Sequence, residues 1–239
     1  MLTRGNRKLG LKHIWGFTLP SGTDAVCPGR TSICARSCYA LRLEKLRPKV
    51  HKAYQRNLVM TKRRDFAQRM YYFVRAMRIR TVRIHIGGDF FSEEYARKWL
   101  QVIEKSPRTH FYFYTRSWRI SPICVVLEEM ASLPNCSAWY SCDSETGLPA
   151  NVPPRVRLAW LQLDPLEQIN SPVHLIFRDY PLRKHPVTHS SDAHICPEQD
   201  GLRRKQRITS ESCQFCFMPR VSSHSKRVPL GMLNDSGKL

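Results

Sequence analysis

Three cysteines fall within twelve residues in Cys27-Pro-Gly-Arg-Thr-Ser-Ile-Cys34-Ala-Arg-Ser-Cys38. The string holds Gly and Pro and leads from a strand into a helix. Three thiolates on a short loop can hold three corners of an iron–sulfur cluster or three positions around zinc. A helix start and the nearby Arg30 and Arg36 would favour the thiolate form. An iron–sulfur site is the first reading, zinc the second and three unrelated buried thiols the third. A [4Fe-4S] cluster on three cysteines keeps one iron open to a small molecule, the logic of a catalytic metal site. A fourth ligand from elsewhere in the fold would close it.

A second group lies near the end: His194, Cys196, Cys213 and Cys216, with Cys213 and Cys216 spaced as C-x2-C. That pair is a recurrent metal knuckle, so zinc or a second [4Fe-4S] cluster is expected there. Histidines stand nearby at 189, 194 and 224. Cys142, at the end of a strand, or His194 is the candidate fourth ligand. Cys142 is alternatively a catalytic hydrogen donor. Cys124 sits in an apolar helical run and reads as core, and Cys136 stands at a strand start. The basic stretch 203–207 beside the knuckle fits phosphate-backbone contact, or simply a solvated loop.

Two strand ends carry further chemistry. In Ile84-His-Ile-Gly87-Gly88-Asp89 the glycines allow close backbone approach by a ligand, and Asp89 can accept hydrogen bonds from an amine. In Tyr114-Thr115-Arg116-Ser117-Trp118, Arg116 can bind a carboxylate or phosphate with two hydrogen bonds. The plain alternatives are a tight turn for Gly-Gly and core packing for the aromatics. Three such segments on one rim favour the ligand reading.

A cysteine loop after the first strand, followed by Gly-Gly-acid after the second, resembles the radical S-adenosylmethionine (SAM) core. More closely, CPGRTSICARSCYA, HIGGDFFSEEYARKW and FYFYTRSW resemble the phage and plasmid gene product 88 family. The likeness runs from about Leu19 to Trp118 and weakly on to Cys216. The radical SAM resemblance implies a partial (β/α) barrel, with Cys27, Cys34 and Cys38 holding a [4Fe-4S] cluster. It implies that Gly87, Gly88 and Asp89 face the SAM amino group. Thr115, Arg116 and Ser117 would meet its carboxylate or ribose.

The elements that must position these residues alternate. Strands are expected at 13–19, 81–86, 110–115, 136–141, 156–163 and 173–177. Helical spacing of Tyr54, Leu58, Phe66, Met70, Phe73, Val74 and Met77 fills the gap after the cysteine loop, with Thr61 a candidate cap. Ser92, followed by Glu93 and Glu94, reads as a cap with a suitably acidic first turn. Ser121 caps a further helix, with Pro122 at its first position. Strands separated by helices give βαβ units and a parallel sheet, open or as a partial barrel. The last two strands have no long helix between them, so a complete eightfold barrel does not fit. The expected division is a partial barrel over 1–178 and an irregular, basic, Cys-rich extension over 179–239.

Composition sets the partners. The 239 residues carry a net charge of +20. Residues 1–80 hold 19 Lys/Arg against 3 Asp/Glu, residues 81–174 hold 9 against 10, and residues 175–239 hold 11 against 6. Basic ends around a neutral centre suggest a polyanion-facing surface, and nucleic acid is the expected polyanion. No apolar run reaches the roughly 18 residues of a membrane span. The basic start lacks an apolar signal region, so a reducing, cytoplasmic setting in a bacterial host is expected. The function expected is an iron–sulfur, SAM-binding enzyme acting on a nucleic acid or nucleotide. The alternative is a non-enzymatic, metal-stabilised nucleic-acid-binding protein.

Overall fold

Along the central strands every second side chain is apolar on one side, and so is every other one on the opposite side. Strands of that kind must be covered on both faces. The computed structural model describes residues 1–6, 8–169, 172–179, 193–197 and 208–217. In it β1 (Thr3–Asn6) and β2 (Gly10–Phe17) form an antiparallel hairpin at one edge of an eight-stranded sheet. From β2 onward every neighbouring pair is parallel, through β3 (Thr81–Ile84), β4 (His110–Thr115), β5 (Cys136–Cys142), β6 (Val156–Gln162), β7 (Leu175–Arg178) and β8 (His194–Ile195). Spatial order equals chain order, and the sheet is not closed into a barrel. The boundary expected at 178 falls between β7 and β8, which pair in this one sheet.

After the cysteine loop come α1 (Ser32–Arg36) and α2 (Tyr39–Leu46), and one face of the sheet is covered by α3 (Pro48–Thr61), α4 (Phe66–Ala76), α5 (Glu93–Glu104) and α6 (Ser121–Ser132). Phe17, Val82, Ile84, Phe111, Phe113, Ala138, Tyr140 and Leu158 face them and form the main core with Phe66, Met70, Tyr95 and Trp99. Each such side chain contributes roughly 1.5–3 kcal/mol by leaving water. The helix α5 shows how the sequence sets its element. Ser92 caps it by accepting the Tyr95 N–H, Glu93 and Glu94 sit in its first turn, and Tyr95, Trp99, Val102 and Ile103 are buried at helical spacing.

The opposite face is covered by the chain's own later segment. Tyr114, Trp139, Ala159, Leu175 and Phe177 pack with Cys196 and Phe215, while Ile14 and Tyr112 pack with Cys216 and Phe217. A short helix, α7 (Ser210–Cys213), brings this segment in. Glu211 Oε1 accepts the backbone N–H groups of Lys12, His13 and Ile14 on β2.

Three local expectations are corrected. Thr61 does not start a helix. It is the last residue of α3, buried, with its hydroxyl donating to Leu58 O, and Asp65 precedes α4. Ser121 is the first residue of α6, not its cap, and Ile120 holds the cap position without a side-chain bond. The first long strand starts at Gly10, three residues early, because β1 folds back to pair with it.

Candidate functional site

The carboxyl ends of β3, β4 and β5 meet the cysteine loop, and two carboxylates fasten the meeting. Asp89 follows β3. Its Oδ1 accepts the Thr115 hydroxyl at 2.6 Å and the Phe90 N–H at 2.8 Å, and its Oδ2 accepts the Arg116 N–H at 2.8 Å. Its own N–H donates to Val26 O, in the cysteine loop. Asp143 follows β5. Its Oδ2 lies 2.7 Å from Arg116 Nη1 and accepts the Thr31 hydroxyl at 2.8 Å. Thr31 Oγ1 in turn accepts the Cys34 N–H, capping α1. Glu145 accepts the N–H groups of Ser32 and Ile33 at the start of the same helix. Asp143 and Glu145 join the rim beside the residues expected there. Their signal in the sequence is the acidic pattern directly after Cys142.

These fastenings bring Cys27, Cys34 and Cys38 together. Burial pushes the Cys27 thiol up to about 12, and Asp89, Cys34 and Cys38 add to the rise by their charge, against a backbone hydrogen bond from Gly22. Burial also raises Cys34, while the Arg116 guanidinium beside it pulls the other way by charge and hydrogen bond. Cys38 caps α2, its Sγ accepting the Leu41 N–H at 3.4 Å. Arg116 is thus the cation beside Cys34. Arg30, held by Asp24 at 2.6 Å and donating to Gly22 O, also feels the charges of Cys27 and Cys34.

A Cβ at Gly87 would stand 2.8 Å from both Ala40 Cβ and Ser21 Oγ, and at Gly88 2.5 Å from Leu19 Cβ. The Gly88 φ of +75° adds a second requirement for glycine. Both glycines serve the packing of the rim against residues 19–21 and α2. Gly29 is constrained the same way, since a Cβ there would lie 2.1 Å from Arg116 O. Thr115 and Ser117 bond to each other across the turn, Ser117 N–H donating to Thr115 Oγ1 at 2.9 Å.

Cys142 is buried in the core beneath the helices and feels the charges of Arg116 and Asp143. Burial pushes its thiol up to about 12. The later cysteines lie on the other face of the sheet. Cys213 Sγ is 3.9 Å from His194 Nε2, and Cys213 feels the charges of Cys196 and Cys216. Of the two candidate fourth ligands, the fold puts His194 beside this group, while Cys142 lies in the helix-covered core near Arg116. Trp139 Nε1 and Arg157 both donate to Cys216 O, at 2.8 and 3.1 Å, locking the knuckle to the sheet. Cys124 is half-buried between Glu128 and Tyr140, and Cys136 is buried. Among the described residues, no three His, Cys, Asp or Glu side chains close round a single metal-ion position. No helix among them is long and apolar enough to cross a membrane. The basic stretch 203–207 and the histidines at 189 and 224 lie outside the described residues.

Comparison with known proteins points one way. The Gene 88 proteins of Mycobacterium phage L5 and Mycobacterium phage D29 are each 32% identical to this chain over 152 residues, 59% of its length. The match spans 61% of the length of each of these relatives. No solved structure matches. The sequence profile named Gene product 88 matches residues 1–218, so the chain belongs to the Gene product 88 family.

Proposed function

We propose that this protein binds an iron–sulfur cluster and SAM at the carboxyl ends of its parallel strands and acts on a nucleic acid or nucleotide. The observation that carries the reading is that Cys27, Cys34 and Cys38 share one loop at that rim and feel one another's charge, with Arg116 beside Cys34. Strand order equal to chain order, with helices on one face, supports a partial (β/α) barrel of the radical SAM kind.

The donor set fits such a group. Three thiols share one loop, and a buried cation favours the thiolate of the middle one. A [4Fe-4S] cluster held by three thiolates supplies one-electron chemistry to a molecule bound at its open iron. The chain's residues divide the remaining work. Asp89 and Asp143 have their oxygens engaged by Thr115, Arg116, Phe90 and Thr31, so they hold the loop in register with the strand ends. Arg116 sets the local charge. Cys142, which shares Arg116 with Cys34, is the thiol best placed as hydrogen donor or added ligand. His194, Cys196, Cys213 and Cys216 would hold zinc or a second cluster on the far face.

The test is direct. Anaerobically reconstituted, reduced protein is incubated with SAM, and 5′-deoxyadenosine is measured. Its formation, lost in Cys34→Ala, is the expected result; its absence from cluster-loaded wild type removes the SAM part. A second reading makes both cysteine groups structural in a nucleic-acid-binding protein. It is favoured by the way Trp139 and Arg157 lock Cys216 into the packing of the sheet.

A further inference from the structure

A hollow of about 960 Å³ opens at the opposite end of the sheet from the thiols. It lies where α4 turns into β3 and α5 turns into β4. Arg75, Arg78, Arg80, Lys105 and Arg108 line it, all exposed, and no carboxylate does. None of the five forms an ion pair with a described carboxylate. Glu104 stands next in sequence but outside the lining.

Two independent features mark this as more than a solvated basic face. Ser106 lines the hollow and is 7% exposed, yet its buried hydroxyl has no hydrogen-bond partner. A buried hydroxyl left unpaired is costly, and Ser hydroxyls are regular phosphate donors. Arg78 holds a left-handed backbone, φ +49°. It is the turn residue that ends α4: Arg78 N–H returns to Arg75 O and Ile79 N–H to Val74 O. That position favours glycine. An arginine there gives up local stability and gains a guanidinium at the mouth of the hollow.

We propose that this hollow is a docking site for the phosphate backbone of a nucleic acid. Ser106 and the five cations would meet successive phosphates, and Arg155, beside the start of β6, extends the same edge. The strand β4 alone separates this end from the thiol rim by about 20 Å, at roughly 3.3 Å per residue. The site is thus an anchor, distinct from the place of chemistry. It deepens the nucleic-acid part of the proposed function by naming the surface, and its test reads binding alone, whatever the iron or SAM result.

The experiment measures binding of the full chain to a short fluorescent DNA duplex and to the RNA duplex of the same sequence, by anisotropy across a salt series. The pocket variant carries Arg75→Gln, Arg78→Gly and Arg108→Gln. The control carries Lys49→Gln, Lys52→Gln and Arg56→Gln, three exposed cations of α3. Each phosphate contact removed lowers the log–log salt slope by about 0.9, so the pocket variant should lose roughly 3 units of slope and at least tenfold in affinity. The control should stay within about twofold. Arg78→Gly alone should weaken binding while leaving the melting temperature unchanged or higher, which separates docking from folding. The proposal is overturned if wild type binds neither duplex, if the pocket variant binds like wild type, or if the control loses as much as the pocket variant.

Discussion

Arg116 and Asp143 form an ion pair 2.7 Å long between the ends of β4 and β5, with side chains 8% and 0% exposed. The pair is where sheet and cysteine loop become one unit, because Asp143 Oδ2 also takes the Thr31 hydroxyl. Removing one partner of a buried pair leaves the other charge stranded, at a cost of about 3–5 kcal/mol. Asp143→Ala should lower the unfolding free energy read from urea titration by that amount and speed proteolysis within residues 22–31. Asp143→Asn, which keeps an acceptor for Thr31, should cost less. Equal effects of the two would contradict this account of the loop's attachment.

Gly29 tests the same contact from the loop side. Its backbone angle is ordinary, so only space is at stake. Gly29→Ala puts a methyl against the Arg116 carbonyl, and backbone must move to admit it. Such crowding costs about 1–3 kcal/mol. Thermal unfolding should show the loss. Gly147→Ala is a useful contrast: Gly147 has open space around it but a φ of +61°, so its smaller cost would be conformational.

His85 predicts a pH dependence. The side chain is buried among Phe17, Phe90 and Tyr95, with Nε2 2.6 Å from Tyr95 OH. Burial first, and nearby Arg83 second, lower its pKa from the ordinary 6.5 to about 3. The unfolded chain therefore takes up a proton that the folded chain refuses. The neutral histidine's contribution is complete above pH 6.5 and is lost as pH falls toward 3, by at most about 1.4 kcal/mol per pH unit. His85→Leu should be less stable than wild type at neutral pH. The gap between the two, read from urea midpoints, should narrow with acid. A pH-independent gap would refute the assignment.

Arg78→Gly should raise stability by about 1 kcal/mol, by relieving the left-handed arginine. For a chain of this size that corresponds to a rise in melting temperature of about 2–4 °C. A fall would show that the Arg78 side chain supports the fold itself.

How much of this was readable in the sequence depends on range. The α5 cap at Ser92, the strand at His110–Thr115 and the long helices are set by neighbours a few residues apart, and they stand where the spacing put them. The rim was legible as a place, because three chemistry-bearing segments each followed a strand. Its internal wiring was not. Asp143 reaches Thr31 across 112 positions, and Gly87 is needed because Ala40 lies against it. Local pattern carries no trace of such pairings. Alternating apolar residues on both faces of β4 and β5 announced two buried faces, but nothing local named residues 213–217 as the cover for one of them. The basic hollow was hidden by averaging. Lys105 and Arg108 belong to the middle third, whose charges nearly cancel, yet they stand beside Arg75, Arg78 and Arg80 in space.

The rim site is tested most directly by the iron and acid-labile sulfide content of anaerobically purified protein, wild type against Cys34→Ala and Cys213→Ala. Wild type should hold iron and sulfide with the visible absorbance of an iron–sulfur cluster, and Cys34→Ala should lose the rim cluster. Cys213→Ala should leave the rim cluster in place, because Cys213 lies on the other face of the sheet. A colourless wild-type protein containing zinc and no sulfide, or iron content unchanged by Cys34→Ala, would contradict this reading.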